Sequence, residues 1–412
     1  MLIKLERFGK IFHKPPSSSG QGRQVLNLEI MGSNPIGGTM EERKRRILRA
    51  ISTLSGTIIG VGFFSLPYIL SKVGIYTLIF YFLFLGSLVI LTHLLFGELA
   101  ILTPDLKRFP GFVNYHLGSI AGKIAFISAI LGTYGTLLAY LIIGGNFLKN
   151  LFSPILKDFD LIFILIYFLL AFLFIFLGIN IISKVEFLDS LLFLLILVLI
   201  SVLGQKFFKF KNLFSFPKTQ DLFLPYGPIL FSLWGASMIP EVEEILERNK
   251  KDLKKVIFIS VLISAIFYFL FAVLVCGILG RETSEDAISG LEKFFGKEIS
   301  KILFLFGTVT TFTSFVALGL TLQKIFWYDL KIEKNMAFAL AVFPPLIFYF
   351  FGFNRFLSVI SLVGGVFLGI DGILILLMYR KVKGSEIKSF FIYPLFLIFL
   401  FGIFYEIFYF LK

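Results

Sequence analysis

The chain has 412 residues, of which 57% are hydrophobic and only 16% are charged, and its mean hydropathy is +0.91. This composition excludes an ordinary soluble domain, and the 55 phenylalanines lie in runs long enough to cross a bilayer. The formal net charge of +13 does not indicate nucleic-acid binding, because the basic residues are scattered among short loops. We therefore expect an integral protein of the lipid bilayer with no nucleic-acid partner.

Residues 1–39 do not share this apolar pattern. They are polar, rich in Gly, Ser and Pro, and lack the apolar stretch of a signal peptide. The string GSNPIGGT at Gly32–Thr39 resembles the translated end of a tRNA gene, so we expect Met40 to be the true start. The alternative is a disordered cytoplasmic tail. Residues 40–412 are predicted to form one transmembrane domain.

Eleven apolar runs in that domain predict an all-α membrane protein. A β-barrel is excluded because the runs are continuous and longer than a tilted strand needs. The predicted helices span about 47–71, 75–103, 119–148, 159–180, 184–204, 223–246, 253–280, 299–324, 335–352, 356–379 and 389–411.

The basic residues beside the helices predict the orientation. Arg43, Lys44, Arg45, Arg46 and Arg49 precede the first helix, so the N-terminus is expected in the cytoplasm. Because an odd number of helices places the two termini on opposite sides, the C-terminus is then expected on the extracellular side of the cell membrane.

Two predicted helices, the first and the sixth, are interrupted at their centres. Gly56–Pro67 has the sequence GTIIGVGFFSLP, and Phe231–Pro240 has the sequence FSLWGASMIP. A helix broken in mid-membrane leaves about four amide donors and four carbonyl acceptors without helical partners. Such breaks persist only where protein, water or a ligand receives those bonds, so they indicate a binding site.

The paired breaks also predict an internal repeat. The first and sixth helices hold corresponding positions in two five-helix halves, 47–204 and 223–379, with 389–411 as an additional helix. Paired interruptions of this kind are typical of inverted-repeat transporters. Each break has a simpler explanation: Gly56 and Gly60 fit a close helix-packing face, and Pro240 fits a proline kink.

Three stretches resemble a known group of proteins. GTIIGVGFFSLP is similar to the first helix of amino acid permeases of the amino acid/auxin and hydroxy/aromatic amino acid permease families. FSLWGASMIPEVEE resembles their sixth helix, and FTSFVALGL at Phe312–Leu320 resembles their eighth. The resemblance implies the LeuT-type 5+5 inverted-repeat fold, within the APC superfamily, and an amino acid as the small-molecule substrate.

The resemblance also implies where the substrate binds. Amides around the first break would bind the substrate carboxylate, helped by the positive end of the helix dipole. Carbonyls near the second break would accept bonds from the ammonium group, and Tyr134 and Tyr140 of the third helix are candidate lids, although ordinary packing explains both equally well. The expected substrate-binding residues are Thr57, Ile58, Gly60, Val61, Gly62, Tyr134, Phe231, Ser232, Trp234 and Ser237.

A coupling ion, Na⁺ or H⁺, is expected because uphill transport needs one. In sodium-dependent relatives an ion lies between the first and eighth helices, and the matching groups here are the carbonyls of Gly56, Ile59 and Thr310 with the hydroxyls of Thr313 and Ser314. Alternatively, these hydroxyls bond back to their own helix.

Two further residues bear on the number and kind of coupling ions. Phe63 stands where an amide side chain would complete a second sodium site, so at most one ion is expected there. Asp371, deep in the tenth helix, is the candidate for proton coupling, and a hydrogen bond to a neighbouring helix is its simpler role.

Together these features predict a secondary active transporter, an ion-coupled symporter that moves an aromatic or neutral amino acid by alternating access. The alternatives are a membrane-embedded amino acid sensor and a passive exchanger. An enzyme is not expected, because His13, His93 and His116 show neither metal-ligand spacing nor a nucleophile with its base. No cofactor is expected besides the coupling ion, and the protein is expected to be a monomer or a weak homo-oligomer.

Overall fold

The computed structural model describes residues 40–104, 107–152, 160–178, 182–384 and 389–411. The predicted N-terminal extension, residues 1–39, lies outside these ranges. The first helices of the described chain are α1 (Met40–Ile58), α2 (Leu66–Leu102), α3 (Phe109–Leu117), α4 (Ser119–Phe152), α5 (Asp160–Phe176), α6 (Ile182–Gly204), α7 (Tyr226–Leu233) and α8 (Ile239–Ile245). They are followed by α9 (Lys250–Leu279), α10 (Glu292–Phe295), α11 (Lys297–Lys324), α12 (Lys334–Phe350), α13 (Phe356–Leu362), α14 (Leu368–Lys383) and α15 (Ser389–Leu411).

The prediction of an all-α membrane protein is confirmed. Among the described residues, seven helical stretches are long and apolar enough to cross a membrane, and three shorter helices are also apolar. The long stretches are Val61–Leu102, Ser119–Phe152, Thr219–Ile245, Lys250–Glu282, Lys297–Asp329, Phe356–Lys383 and Ile392–Phe410.

The start of the first helix differs from the prediction. Hydropathy places it near residue 47, but α1 begins at Met40 because Glu, Arg and Lys are good helix formers even where they are polar. Two of these early residues reach across to the region around α9. Arg43 makes a two-pronged ion pair with Asp252, at 2.7 and 2.8 Å, and Arg46 pairs with Glu247.

A sharp corner separates the outer part of the first predicted helix from the second. Gly74 has a φ of 77°, a left-handed conformation that favours glycine, and it lies within the continuous range of α2. A Cβ atom there would overlap the carbonyl of Ser215, whose hydroxyl bonds the carbonyl of Ser71 at 3.2 Å. The loop before α7 therefore packs directly on this corner.

The helices pack in two main groups. In the first group α9 lies along both α1 and α2, and in the second α4 lies along α5, α11 and α12. The short helices α7 and α8 contact α2, and a π-helical segment at Val363–Phe367, between α13 and α14, packs against α7. Both interrupted segments therefore lie inside the bundle.

Candidate functional site

The first break lies between α1 and α2. α1 ends at Ile58, Gly60 is extended with φ −136° and ψ −167°, and Val61–Ser65 forms a 3₁₀ turn that leads into α2. The amides of Val61 and Gly62 open this turn, so no carbonyl of the turn itself can accept from them. These two amides are among the donors that the break frees.

The second break lies between α7 and α8. α7 ends at Leu233, and Trp234 is extended with φ −78° and ψ 125°. A short 3₁₀ turn, Ala236–Met238, then leads into α8. The last carbonyls of α7 have no donors within their own helix.

The two breaks touch each other, and a glycine makes each contact possible. A Cβ atom at Gly62 would overlap the hydroxyl of Ser232 and lie 3.1 Å from the Ser232 Cα. A Cβ atom at Gly235 would lie 2.7 Å from the side chain of Ile58. The first and second interrupted segments are thus in direct contact, with each glycine packed against residues of the other segment.

Tyr268 of α9 bridges the first break. Its hydroxyl accepts a hydrogen bond from the Gly60 amide at 3.0 Å and donates one to the Ile58 carbonyl at 2.6 Å. The side chain is fully buried. One phenol therefore satisfies a donor and an acceptor that the interruption frees, a role that the sequence did not indicate.

His93 of α2 serves the second break in a similar way. Its Nε2 accepts a hydrogen bond from the Gly235 amide at 2.9 Å, and its ring meets the Trp234 ring edge-on at 5.0 Å between centroids. His93 is also fully buried. A histidine within a long apolar run is the one sequence signal that could have revealed this residue, because ionisable residues are rare inside membrane helices.

A cavity of about 30 Å³ lies beside the first break. Its polar lining comes from Tyr140 of α4 and from Thr310, Thr311 and Ser314 of α11, and its remaining wall consists of Ile59, Gly60, Val61, Phe63, Phe64, Phe193 and Phe306. That volume holds about two water molecules, whereas pockets for organic ligands measure about 300 Å³ or more. The protein is therefore closed around the break in this conformation.

Only part of the predicted substrate set faces this cavity. Gly60 and Val61 line it, as does the candidate lid Tyr140. Tyr134, the other candidate lid, does not line it, and its hydroxyl donates to the Leu340 carbonyl at 2.6 Å.

The predicted hydroxyl groups and the predicted tryptophan have partners elsewhere. Thr57 and Ser232 donate to carbonyls of their own helices, at 2.9 and 2.7 Å, as short hydroxyl side chains often do in helices. Ser237 is exposed, and Phe231 is half-buried. Trp234 packs against His93 and against Phe399 of α15. The structure therefore separates these side chains from the cavity at the first break.

The predicted ion-binding residues are also divided. Ile59, Thr310 and Ser314 meet at the cavity, whereas Gly56 and Thr313 do not line it. The hydroxyl of Thr313 lies 3.0 Å from the carbonyls of Val309 and Thr310, so it bonds back to its own helix. The oxygens that remain at the cavity are of the kind that a hard cation prefers.

Asp371 and Phe63 occupy different surroundings. Asp371, near the start of α14, has a buried Oδ1 without a hydrogen-bond partner among the described residues, and Ser128 of α4 is its polar neighbour. It does not line the cavity. Phe63 packs against the rings of Phe193 and Phe271, with centroids 4.5 and 5.0 Å away. Aromatic rings thus fill the space where a second sodium site would be sought.

The chain is similar over most of its length to known transport proteins. A model of the tryptophan/tyrosine permease family matches residues 43–409. Tyrosine-specific transport system 1 of Haemophilus influenzae is 25% identical over 332 residues, which make up 76% of this chain and 82% of that protein.

Solved structures of MhsT and of the transporter Mhp1 share this architecture. MhsT, in complex with L-phenylalanine, matches with a TM-score of 0.61 at 15% identity, covering 87% of this chain and 97% of that chain. Mhp1, a nucleobase-cation-symport-1 family transporter in a closed conformation with bromovinylhydantoin, matches with a TM-score of 0.59 at 14% identity, covering 84% of this chain and 80% of that chain. These likenesses confirm the predicted LeuT-type fold.

Proposed function

Because the chain belongs to the tryptophan/tyrosine permease family, we propose that it is an ion-coupled symporter that carries an aromatic amino acid across the cell membrane by alternating access. The family membership confirms the resemblance found in the sequence and the expectations of amino acid transport and of no enzymatic activity. Direct contact between the two broken helices, beside a cavity, is the observation that carries the proposal.

The architecture proposed for this function is the 5+5 inverted repeat with eleven membrane helices. The first half runs from α1 to α6, and the second runs from α7 to α14, with α15 outside the repeat. The N-terminus lies in the cytoplasm and the C-terminus outside. The two breaks support this scheme because they fall in the first helix of each half.

An aromatic substrate is favoured by the walls of the site and by the relatives. Tyr140, Phe193 and Phe306 give the cavity aromatic surfaces, which pack well against an aromatic side chain. The Haemophilus influenzae relative is named as tyrosine-specific, and the MhsT structure holds L-phenylalanine. L-Tyrosine is therefore the first substrate to test.

The substrate backbone would bind between the two breaks. Its carboxylate would accept hydrogen bonds from the amides of Val61 and Gly62, at the positive end of a helical turn. Its ammonium group would donate to the carbonyls of Phe231 and Ser232 in the last turn of α7. Gly62 packs directly on Ser232, so substrate entry requires the two segments to separate.

The coupling ion has two candidate positions within this scheme. A sodium ion would bind among the Ile59 and Thr310 carbonyls and the Ser314 hydroxyl at the cavity, with Gly56 and Thr313 joining only after the helices move. A proton would bind a buried ionisable side chain such as Asp371. No resident cofactor is part of the proposal, and a monomer suffices for it.

Uptake of labelled L-tyrosine into proteoliposomes tests the proposal, under a sodium gradient and separately under a proton gradient. Accumulation above the external concentration under one gradient would support the symporter and identify the ion. Exchange of labelled for unlabelled tyrosine without accumulation would instead indicate a passive exchanger. Binding without any exchange would favour a sensor. A full set of twenty amino acids in competition would then define the substrate range.

A further inference from the structure

His93 lies at the second break as a neutral hydrogen-bond acceptor. Its Nε2 accepts from the Gly235 amide at 2.9 Å, so in the neutral ring the proton resides on Nδ1. Nδ1 makes no well-aligned hydrogen bond among the described residues, and the Val89 carbonyl, one turn back on the same helix, is the acceptor that it faces in a fully buried position. A buried titratable group therefore holds one of the backbone donors that the break in the second half exposes.

We propose that His93 is the binding site of the coupling proton, and that its protonation releases the Gly235 amide and unlocks the second break. This inference rests on the proposed symport function. The Nε2 lone pair forms a new N–H bond with a proton from a hydronium ion, whose O–H bond breaks to leave a water molecule. An imidazolium ring has two N–H donors and no acceptor, so the Gly235 amide loses its partner in the same step.

Protonation of His93 would act on the segment that the proposed mechanism requires to move, the second break. Gly235 packs against Ile58 of α1, so the backbone that His93 holds is also the surface on which the two breaks meet. Releasing the Gly235 amide frees Trp234 and the start of α8 to change conformation. Asp371 does not hold the Gly235 amide, and its polar neighbour is Ser128 of α4.

The surroundings of His93 make proton binding depend on conformation. Trp234, which follows α7, packs against the His93 ring, and Phe399 of α15 packs against Trp234 in turn. Ile58 of α1 packs on Gly235, and all three of these side chains are uncharged. On its own helix, Glu98 is already paired with Lys250 of α9 and Lys383 of α14.

Three further titratable groups on the helices packed against α2 and α7 bind other partners. Tyr379 of α14 donates to Glu98, and Glu406 of α15 accepts from the Gly227 amide at 3.1 Å. Tyr268 of α9 bridges Ile58 and Gly60. No ion pair among the described residues includes His93, so a charged ring in this closed conformation would lack compensation. Protonation therefore requires a conformation that admits water, which is how a coupling site links ion binding to the transport cycle.

Trp234 provides a direct optical probe of this site. The chain has two tryptophans, and the other, Trp327, stacks on Tyr328 in a π-helical segment that follows α11. A Trp327→Phe variant leaves Trp234 as the sole indole, in contact with His93. An imidazolium quenches a neighbouring indole more strongly than a neutral imidazole does, so the fluorescence should fall as His93 takes up a proton.

The first experiment titrates that fluorescence in the Trp327→Phe background between about pH 4 and 8, a range that covers histidine ionisation. We expect a reversible loss of intensity on acidification that disappears in His93→Gln and persists in His116→Gln. An unchanged titration in His93→Gln would overturn the proposal. So would the absence of any titration while His93 is present, a result that does not depend on whether the variant folds.

The second experiment measures transport with His93→Gln and with the shorter His93→Asn in proteoliposomes. An amide oxygen still accepts from the Gly235 amide but binds no proton. Under a proton gradient, we expect the tyrosine concentration inside the variant proteoliposomes to rise no higher than the concentration outside. Exchange of labelled for unlabelled tyrosine should continue. Full proton-driven accumulation in either variant would overturn the proposal.

The two experiments separate failure of the inference from failure of the proposed function. If the wild-type protein accumulates tyrosine under a sodium gradient alone, and the Trp234 fluorescence does not respond to pH, the proton site at His93 is excluded. The proposal of a symporter would still stand. If the wild-type protein neither accumulates nor exchanges any amino acid, the proposed symport function itself is excluded. In that case the fluorescence titration would still decide whether His93 binds a proton.

Discussion

The hydroxyl of Tyr268 lies 3.0 Å from the amide nitrogen of Gly60, although 208 positions separate the two residues along the chain. The same hydroxyl donates to the Ile58 carbonyl, so one side chain spans the interruption of the first helix. The side chain of Tyr268 is fully buried, and through these two hydrogen bonds it forms one structural unit with the break.

Removing this hydroxyl should destabilise the protein. In Tyr268→Phe the Gly60 amide and the Ile58 carbonyl lose their partner, and leaving buried polar groups unsatisfied costs about 1 to 3 kcal/mol. We expect a lower melting temperature in detergent and a changed KM for L-tyrosine, because the backbone of the break is no longer fixed. Tyr226→Phe is the matched control, since its hydroxyl makes only a 3.3 Å bond to Ile398, away from the break. Equal effects in both variants would contradict this assignment.

Two glycines of the first break should respond differently to replacement by alanine. A Cβ atom at Gly62 would overlap the Ser232 hydroxyl, and overpacking of this kind costs about 1 to 3 kcal/mol. At Gly60 the nearest atom is the Tyr140 hydroxyl at 3.5 Å, and the extended backbone suits any residue. We expect Gly62→Ala to lower the melting temperature and Gly60→Ala to leave it nearly unchanged.

A larger residue at Gly60 should abolish substrate binding without unfolding the protein. The cavity beside it measures about 30 Å³, so the side chain of Gly60→Val would occupy the space that must open for the substrate. Binding of L-tyrosine, followed by protection against thermal unfolding, provides the measurement. Unchanged affinity in a folded Gly60→Val variant would exclude the proposed site.

The two tyrosines of α4 should also differ. Tyr140 lines the cavity, so Tyr140→Phe should change the KM for L-tyrosine. Tyr134 donates to the Leu340 carbonyl, so Tyr134→Phe should cost about 1 kcal/mol of stability and leave KM close to the wild-type value. Initial rates in proteoliposomes, combined with melting temperatures, distinguish the two outcomes. A larger change in KM for Tyr134→Phe than for Tyr140→Phe would contradict this prediction and would indicate that Tyr134 covers the substrate.

An ion-pair cluster at one end of the bundle should make stability depend on salt. Glu98 of α2 accepts from Lys250 at 2.8 Å and pairs with Lys383 at 2.9 Å, so it ties α2 to both α9 and α14. Glu98→Gln should lose about 1 to 2 kcal/mol, since hydrogen bonds to charged groups are stronger than neutral ones. The difference from wild type should shrink in high salt, because ions screen the attraction.

The control for this prediction is Glu298→Gln. Glu298 pairs with Lys301 within α11, at a side-chain exposure of 85%, and exposed pairs contribute little. Its melting temperature should stay at the wild-type value at every salt concentration. A loss as large as that of Glu98→Gln would mean that exposed pairs contribute here as much as the cluster does.

The apolar runs alone located most of the helices, because a membrane helix needs a continuous apolar stretch and leaves a local record in the sequence. Predicted bounds such as 389–411 agree with the structure, whereas the start of α1 does not, because its charged first turns are helical without being apolar. The interruptions at Gly56–Pro67 and Phe231–Pro240 could also be predicted from the sequence, because glycine and proline change the backbone conformation at their own positions.

Only the tertiary structure decided which side chains complete the breaks. Tyr268 and His93 lie 208 and 142 positions from the amides that they hold. A histidine in an apolar run stands out in the sequence, but the local sequence of neither residue shows which amide it binds. Folding also left Tyr134 and Thr313 with partners other than a ligand, in positions that sequence similarity alone could not resolve. A backbone interruption is a property of its own few residues, whereas the partner that satisfies it is selected by the packing of distant helices.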